Sequence, residues 1–107
     1  MTRKEILDTA LKCVNGERDE QYGSPENNFQ TIANFWMVYL NGRKVCEGTI
    51  TIGPEDVASM LALLKISRIA SGQAKDDNWV DLAGYAACGG EIQSSIACTV
   101  NKINCSN

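Results

Sequence analysis

The sequence predicts an all-α protein, a bundle of four or more helices. Three observations carry that reading. Helix-start signals recur along the chain, at Thr2, at Ser24-Pro25, at Gly53-Pro54 and at Asp76-Asp77. Apolar residues between them repeat at helical spacing. Residues that favour strands gather in one short stretch, too small for a sheet core. At 107 residues the chain reads as one domain, 1–107.

The elements follow in order. Thr2 with Glu5 three residues later is a capping box, which satisfies two free N–H groups at the start of a helix. Ile6, Leu7, Ala10 and Val14 form its apolar side, and Asn15-Gly16 ends it. Ser24-Pro25-Glu26 opens a second helix with a cap, a proline at the first position and an acid in the first turn. Phe29, Ile32, Ala33, Trp36 and Leu40 share one face, which Phe35 and Tyr39 widen. This aromatic helix is expected to be core, with Asn41-Gly42 as its end. Val45, Thr49, Ile50, Thr51 and Ile52 then favour a short extended segment or a small hairpin near residues 43–52.

Gly53 and Pro54 start a third helix that runs to the break Ser71-Gly72-Gln73-Ala74-Lys75. On a wheel of roughly 100° per residue, Val57, Met60, Leu61 and Leu64 form one apolar stripe. Ala58, Ala62, Ile66 and Ile69 form another, almost opposite. A helix apolar on most sides is expected to be buried on most sides, either centrally in the bundle or against a second subunit. Self-association into a dimer or tetramer is the corresponding expectation. Asp76 or Asp77 is expected to cap a fourth helix. Gly89-Gly90 either ends that helix or permits close packing against another. The stretch 91–103 fits neither a helical nor a strand period cleanly, and 104–107 reads as a tail.

Composition narrows the function classes. The formal charge is −3 with no basic cluster, which argues against general nucleic-acid binding. No apolar run has the length of a membrane span, and the N-terminus lacks the apolar core of a signal peptide. A cytoplasmic location is expected. Five cysteines without a C-x-x-C spacing, in a chain with no histidine, read as free thiols and not as a zinc site.

Charge on the last two helices is where chemistry is expected. Lys65 and Arg68 lie on or beside an apolar stripe, and buried cations need anionic partners or a bound anion. Asp77 and Asp81, four apart, share a helical face that Gly84, Tyr85 and Cys88 continue. Each feature also has a structural explanation. Glu55 and Asp56 can serve the helix dipole, Asp77 can be a cap, and Lys65 and Arg68 can be ion-pair partners of the acids. Glu17, Asp19 and Glu20 can be a solvated segment, with Arg18 and Tyr22 as loop braces. The conjunction points further. Acids and cations on adjacent helices beside aromatic rings suit a nucleotide with its phosphates and Mg²⁺.

The run Asp56-Val57-Ala58, Lys65, Arg68 and Asp77-Asn78-Trp79-Val80-Asp81-Leu82-Ala83-Gly84-Tyr85 resembles a family of small, mostly uncharacterised phage proteins. Arg18-Asp19-Glu20-Gln21-Tyr22-Gly23 with Asn28-Phe29 fits the same pattern, so the resemblance covers about residues 15–92. That family is more distantly similar to the all-α nucleotide pyrophosphohydrolases of the MazG and dimeric dUTPase type. Those enzymes hold Mg²⁺ with E-x-x-E on one helix and E-x-x-D on the next. The resemblance implies Asp56, Asp77 and Asp81 as metal-binding and catalytic residues. It implies Arg18, Tyr22, Lys65, Arg68, Asn78, Trp79 and Tyr85 around the substrate, in an infected or lysogenic bacterial host. The departures are specific. Ser59 stands where the second acid of E-x-x-E belongs, Asp77 and Asp81 are four apart instead of three, and Glu17-x-x-Glu20 lies one helix too early.

Three functions therefore stand at the level of sequence. One is Mg²⁺-dependent hydrolysis of a nucleoside triphosphate to monophosphate and pyrophosphate. The second is a binder that sequesters a nucleotide or cyclic nucleotide without cleaving it, such as a sponge for a host defence signal. The third is a protein-interaction module.

Overall fold

The computed structural model describes residues 1–16, 24–72 and 74–105, with side chains described through residue 96. It is all-helical over these residues, with four helices and no strand. They are α1 (Arg3–Asn15), α2 (Pro25–Arg43), α3 (Pro54–Ala70) and α4 (Asp76–Cys105).

Local chemistry sets the helix starts. The Thr2 hydroxyl accepts from the Glu5 N–H at 3.1 Å, and the Glu5 carboxylate accepts from the Thr2 N–H at 3.1 Å. This is the reciprocal capping box, which contributes about 1 kcal/mol. The Ser24 hydroxyl accepts from the Asn27 N–H at 3.3 Å, ahead of Pro25. Gly53 has no side chain to offer α3, so the cap is one-sided. The Asp56 carboxylate reaches back and accepts from the Gly53 N–H at 2.9 Å.

Three expected boundaries move. Neither Asp76 nor Asp77 caps α4, because the helix begins at Asp76 and both acids lie in its first turn. There they face the positive end of the helix dipole. Asp76 also accepts from the N-terminal ammonium of Met1 at 3.2 Å, tying the start of α1 to the start of α4. Asn41-Gly42 does not end α2. The helix runs to Arg43 and closes at Lys44, which adopts the left-handed conformation at φ 53° and donates its N–H to the Asn41 carbonyl. Gly89-Gly90 does not end α4 either.

The expected hairpin near 43–52 does not form. A strand needs a partner ladder, and none is present among the described residues. The Asn41 side chain takes its place. Its Oδ1 accepts from the Ile50 N–H at 2.7 Å and its Nδ2 donates to the Ile50 carbonyl at 3.1 Å. One amide thus satisfies both backbone groups of an extended residue, and Ile52 drops into the core.

The helices pack in the order α1 on α4, α4 on α3, and α3 on α2. The α3–α4 seam is the most extensive. Phe29 and Ala33 of α2, Ile52 of the connection before α3, Val57 and Ala58 of α3, and Ile92 of α4 form the core cluster. Ala10 of α1 and Val80 of α4 are also buried. α3 is internal in this order, as its double stripe predicts, yet it is not enclosed. Val57, Ala58 and Lys65 are buried, whereas Met60, Leu63, Leu64 and Ile66 stay exposed within the single chain.

Two glycines explain how α3 and α4 come so close. A Cβ placed on Gly89 would lie 3.0 Å from the Ala58 Cβ, tighter than side chains normally tolerate. A Cβ on the adjacent Gly90 meets nothing within 4 Å. Both sit inside a helix, where alanine is intrinsically favoured by about 1 kcal/mol. Gly90→Ala should therefore stabilise the protein by up to about 1 kcal/mol. Gly89→Ala should lose that gain and roughly 1 kcal/mol more, because both methyls are fixed to helix backbones and the seam must open. Thermal unfolding of the two variants against wild type measures the difference, and equal melting temperatures would remove the close contact from the explanation.

Candidate functional site: the α3–α4 seam

The seam carries a groove of about 300 Å³. Its floor is built from small side chains, Ala58, Ser59 and Ala62 on α3 and Ala86, Gly89 and Gly90 on α4. Glu55 and Asp56 border it, as do Tyr85 and Gln93. Three hundred cubic ångströms is the lower end of what small-molecule sites occupy.

Glu55 is the unusual group. Its Oε2 is buried, and no hydrogen-bond partner reaches it among the described residues. The carboxylate folds back against Gly53, where any Cβ would collide with it. Gly53 has φ −98°, a backbone conformation open to any residue, and the nearest atoms a Cβ would meet belong to the end of the flexible Glu55 side chain. A carboxylate oxygen withdrawn from water without a partner costs about 1–3 kcal/mol or more.

The expected site residues divide into separate groups. Asp56 borders the groove, and one of its oxygens is occupied by the Gly53 N–H. Asp81 lies deeper along the seam, paired with Lys65 at 2.8 Å. Lys65 is buried and the Asp81 side chain is about a quarter exposed. Asn78 is buried three residues before Asp81, on the same face of α4. Asp77 is exposed in the first turn, Arg68 is exposed near the end of α3, and Trp79 is half-exposed. Tyr85 borders the groove on one side and meets Phe29 on the other, with ring centroids 6.4 Å apart. Arg18 and Tyr22 lie outside the described residues.

The structure thus brings Lys65 to Asp81, and Asp56 to Tyr85's groove, but it does not gather Asp56, Asp77 and Asp81. No group of three or more acidic or cysteine side chains is placed to hold a metal ion among the described residues. The cysteines whose side chains are described, Cys13, Cys46 and Cys88, form no disulfide. Sequence reasoning passed over Glu55, treating it as a first-turn acid. The signal that could have found it is the pairing of Gly53 with small residues at helical spacing on both sides of one seam. A Cβ on Gly84 would lie 3.5 Å from the Cγ1 of Val14 on α1, an ordinary van der Waals contact.

Residues 5–93 match the family model described as "Domain of unknown function (DUF6378)". The chain belongs to this family. It is 41% identical over 81 residues to the Gene 55 protein of Mycobacterium phage L5, covering 76% of this chain and 47% of that protein. It is 35% identical over 85 residues to the Gene 55 protein of Mycobacterium phage D29, covering 79% of this chain and 51% of that protein. The chain therefore spans about half the length of the curated relatives it matches. No solved structure matches it. The matched region contains the whole α3–α4 seam through Ile92, so the groove belongs to the part shared with the family. No helix is long and apolar enough to cross a membrane among the described residues.

The Lys65–Asp81 pair has a testable energetic signature. Removing either partner leaves a largely buried charge unpaired, which costs about 3 kcal/mol at such sites. That corresponds to a fall of roughly 12–24 °C in melting temperature for a domain of this size. The double variant Lys65→Met/Asp81→Leu exchanges the pair for apolar packing and should recover most of the loss. Denaturant unfolding of the three variants checks this. Singles that unfold like wild type would show the pair to be worth no more than a surface contact.

Proposed function

We propose that this protein binds a nucleotide in the α3–α4 groove and holds it without cleaving it. The observation that carries the reading is the unpartnered Glu55 Oε2 beside a floor of small side chains and the ring of Tyr85. A flat base fits a surface of alanines and glycines, and a tyrosine offers it an aromatic contact. An exocyclic amino group or a ribose hydroxyl supplies the donor that Glu55 lacks.

Charge decides how the phosphates would lie. Glu55 and Asp56 make one border of the groove acidic, so bare phosphates are repelled there. Lys65 is engaged by Asp81, which leaves Arg68, with Arg18 from the family resemblance, as the phosphate-binding cations of this reading. Charge-assisted hydrogen bonds from arginine suit that role. The host compartment on this reading is the cytoplasm of an infected or lysogenic cell, and a sequestered defence signal is one ligand of the right chemistry.

Hydrolysis is the harder function for this arrangement. The donor set expected for Mg²⁺, Asp56 with Asp77 and Asp81, is dispersed, so the described residues do not fit that metal centre. A likeness to MazG-type enzymes would then lie in helical architecture and pocket position, with the metal-dependent step lost.

The test is calorimetry against a panel of nucleoside mono- and triphosphates and cyclic nucleotides, with and without Mg²⁺. Chromatography of the ligand released by denaturation accompanies it. Saturable heat and an intact ligand are expected. Gly90→Leu places a side chain at the groove where its Cβ meets nothing, so the variant should fold and bind at least about tenfold more weakly. Glu55→Gln should also weaken binding. Release of monophosphate and pyrophosphate would replace the binder with the hydrolase. No heat at high micromolar concentration, or unchanged affinity in Gly90→Leu, would overturn the groove as a nucleotide site.

A further inference from the structure

The chain contains the step Asn-Gly twice, at Asn15-Gly16 and at Asn41-Gly42. This is the step most open to spontaneous loss of the side-chain amide, because glycine has no Cβ to shield the backbone nitrogen that attacks it. Every other asparagine with a successor in the chain precedes a larger residue. By sequence the two steps are equivalent, since the chemistry needs only these two residues. The fold makes them different.

Asn41 is held at three atoms. Its Oδ1 accepts from the Ile50 N–H at 2.7 Å, its Nδ2 donates to the Ile50 carbonyl at 3.1 Å, and its own carbonyl accepts from the Lys44 N–H at 3.2 Å. Gly42 lies inside α2, where its N–H belongs to the helix ladder. The attacking nitrogen is therefore engaged, and the amide cannot swing toward it without releasing Ile50. Asn15 has none of these restraints. It is exposed, it is the last residue of α1, and its side chain makes no hydrogen bond among the described residues. Helix ends fray. Gly16 lies outside the helix, and no hydrogen bond from its N–H is found among the described residues. The amide carbon and the nitrogen are thus free to reach the contact distance and alignment that the reaction requires.

We propose that Asn15–Gly16 is a spontaneous modification site of this protein, deamidated while the chain is folded, and that Asn41–Gly42 is spared because its amide fastens the loop at Ile50. The Gly16 backbone nitrogen attacks the Asn15 Cγ and gives up its proton. The Cγ–Nδ2 bond breaks, and the amide nitrogen leaves with that proton as ammonia. One water then opens the cyclic imide at either carbonyl, which gives aspartate or isoaspartate. The sum is one water consumed and one ammonia released, with no change of oxidation state. Each event adds one negative charge to the formal −3. The new carboxylate stands at the C-terminal end of α1, where the helix dipole disfavours an anion. Opening to isoaspartate also lengthens the backbone directly after Val14, the residue that meets α4 at Gly84. The contact between α1 and α4 is the part of the fold that the modification reaches.

Incubation of the full chain at mildly alkaline pH, followed by peptide mapping with mass spectrometry, measures both sites in one sample. Asn15 should convert at least about tenfold faster than Asn41, since Asn41 reacts only after its side-chain bonds and the helix end have opened. In strong denaturant the two rates should converge to within about twofold, because only the local step then remains. Asn15→Gln should remove the fast conversion, since the longer side chain would have to close a larger ring. Equal rates in the folded chain, or faster conversion at Asn41, overturn the proposal. So does a difference that persists in denaturant, which would trace it to neighbouring sequence and not to the fold. An Asn15 that stays intact in the folded chain over the time in which the denatured chain converts overturns it as well.

Discussion

The close approach of Gly89 to Ala58 is the constraint on which the rest of the arrangement depends. Two helices with larger residues at that point would stand further apart. At the spacing observed, Val57 and Ile92 become the most completely buried large side chains. Lys65 on α3 comes within 2.8 Å of Asp81 on α4. The same small residues that close the seam leave a shallow groove along its side. Core, ion pair and candidate site are consequences of one contact.

That contact also sorts the charges. Deep in the seam the Lys65 ammonium and the Asp81 carboxylate pair with each other. At the start of α3 lie two carboxylates, Glu55 and Asp56, for which no ion pair is found among the described residues. Asp56 is used by the helix itself, since its oxygen accepts from the N–H of the cap residue Gly53. Glu55 is used by nothing among the described residues. A buried carboxylate oxygen without a hydrogen bond carries a cost and calls for an explanation, and a ligand that completes the bonding is one. This is why the groove and not the Lys65–Asp81 pair carries the functional reading, although the pair is the more conspicuous feature of the sequence.

Legibility of the site differed from residue to residue. Lys65 was legible as a cation needing an acid, because it falls on an apolar stripe and desolvation demands a partner. Asp81 was legible as that partner's type, being an acid inside a helix among apolar neighbours. Gathering Asp56, Asp77 and Asp81 into one metal centre was not something spacing could decide. Acids one turn apart on one helix are near each other by geometry, but acids on two helices meet only if the helices' axial offset brings them level. Here the offset sets Asp81 against Lys65, more than two turns along α3 from Asp56, and leaves Asp77 in solvent. Glu55 was not legible at all, since an acid in a first turn has an adequate local explanation.

By itself the sequence determined the helices and their starts. Thr2 with Glu5, Ser24 with Pro25, and Gly53 with Pro54 act within four residues of chain, so their effect needs no tertiary context. Tertiary structure decided what propensity left open. The β-formers of 45–52 had no ladder to join, and the Asn41 side chain met Ile50's backbone groups instead. Gly89-Gly90 could have broken α4, but their lack of side chains serves packing against α3 and the helix continues. α3 was expected to be enclosed, and within one chain it is not, because burial of a helix face depends on how many neighbours the fold supplies. Local hydrogen bonds are specified by adjacent residues; burial, register and the meeting of distant charges exist only once the helices are placed together.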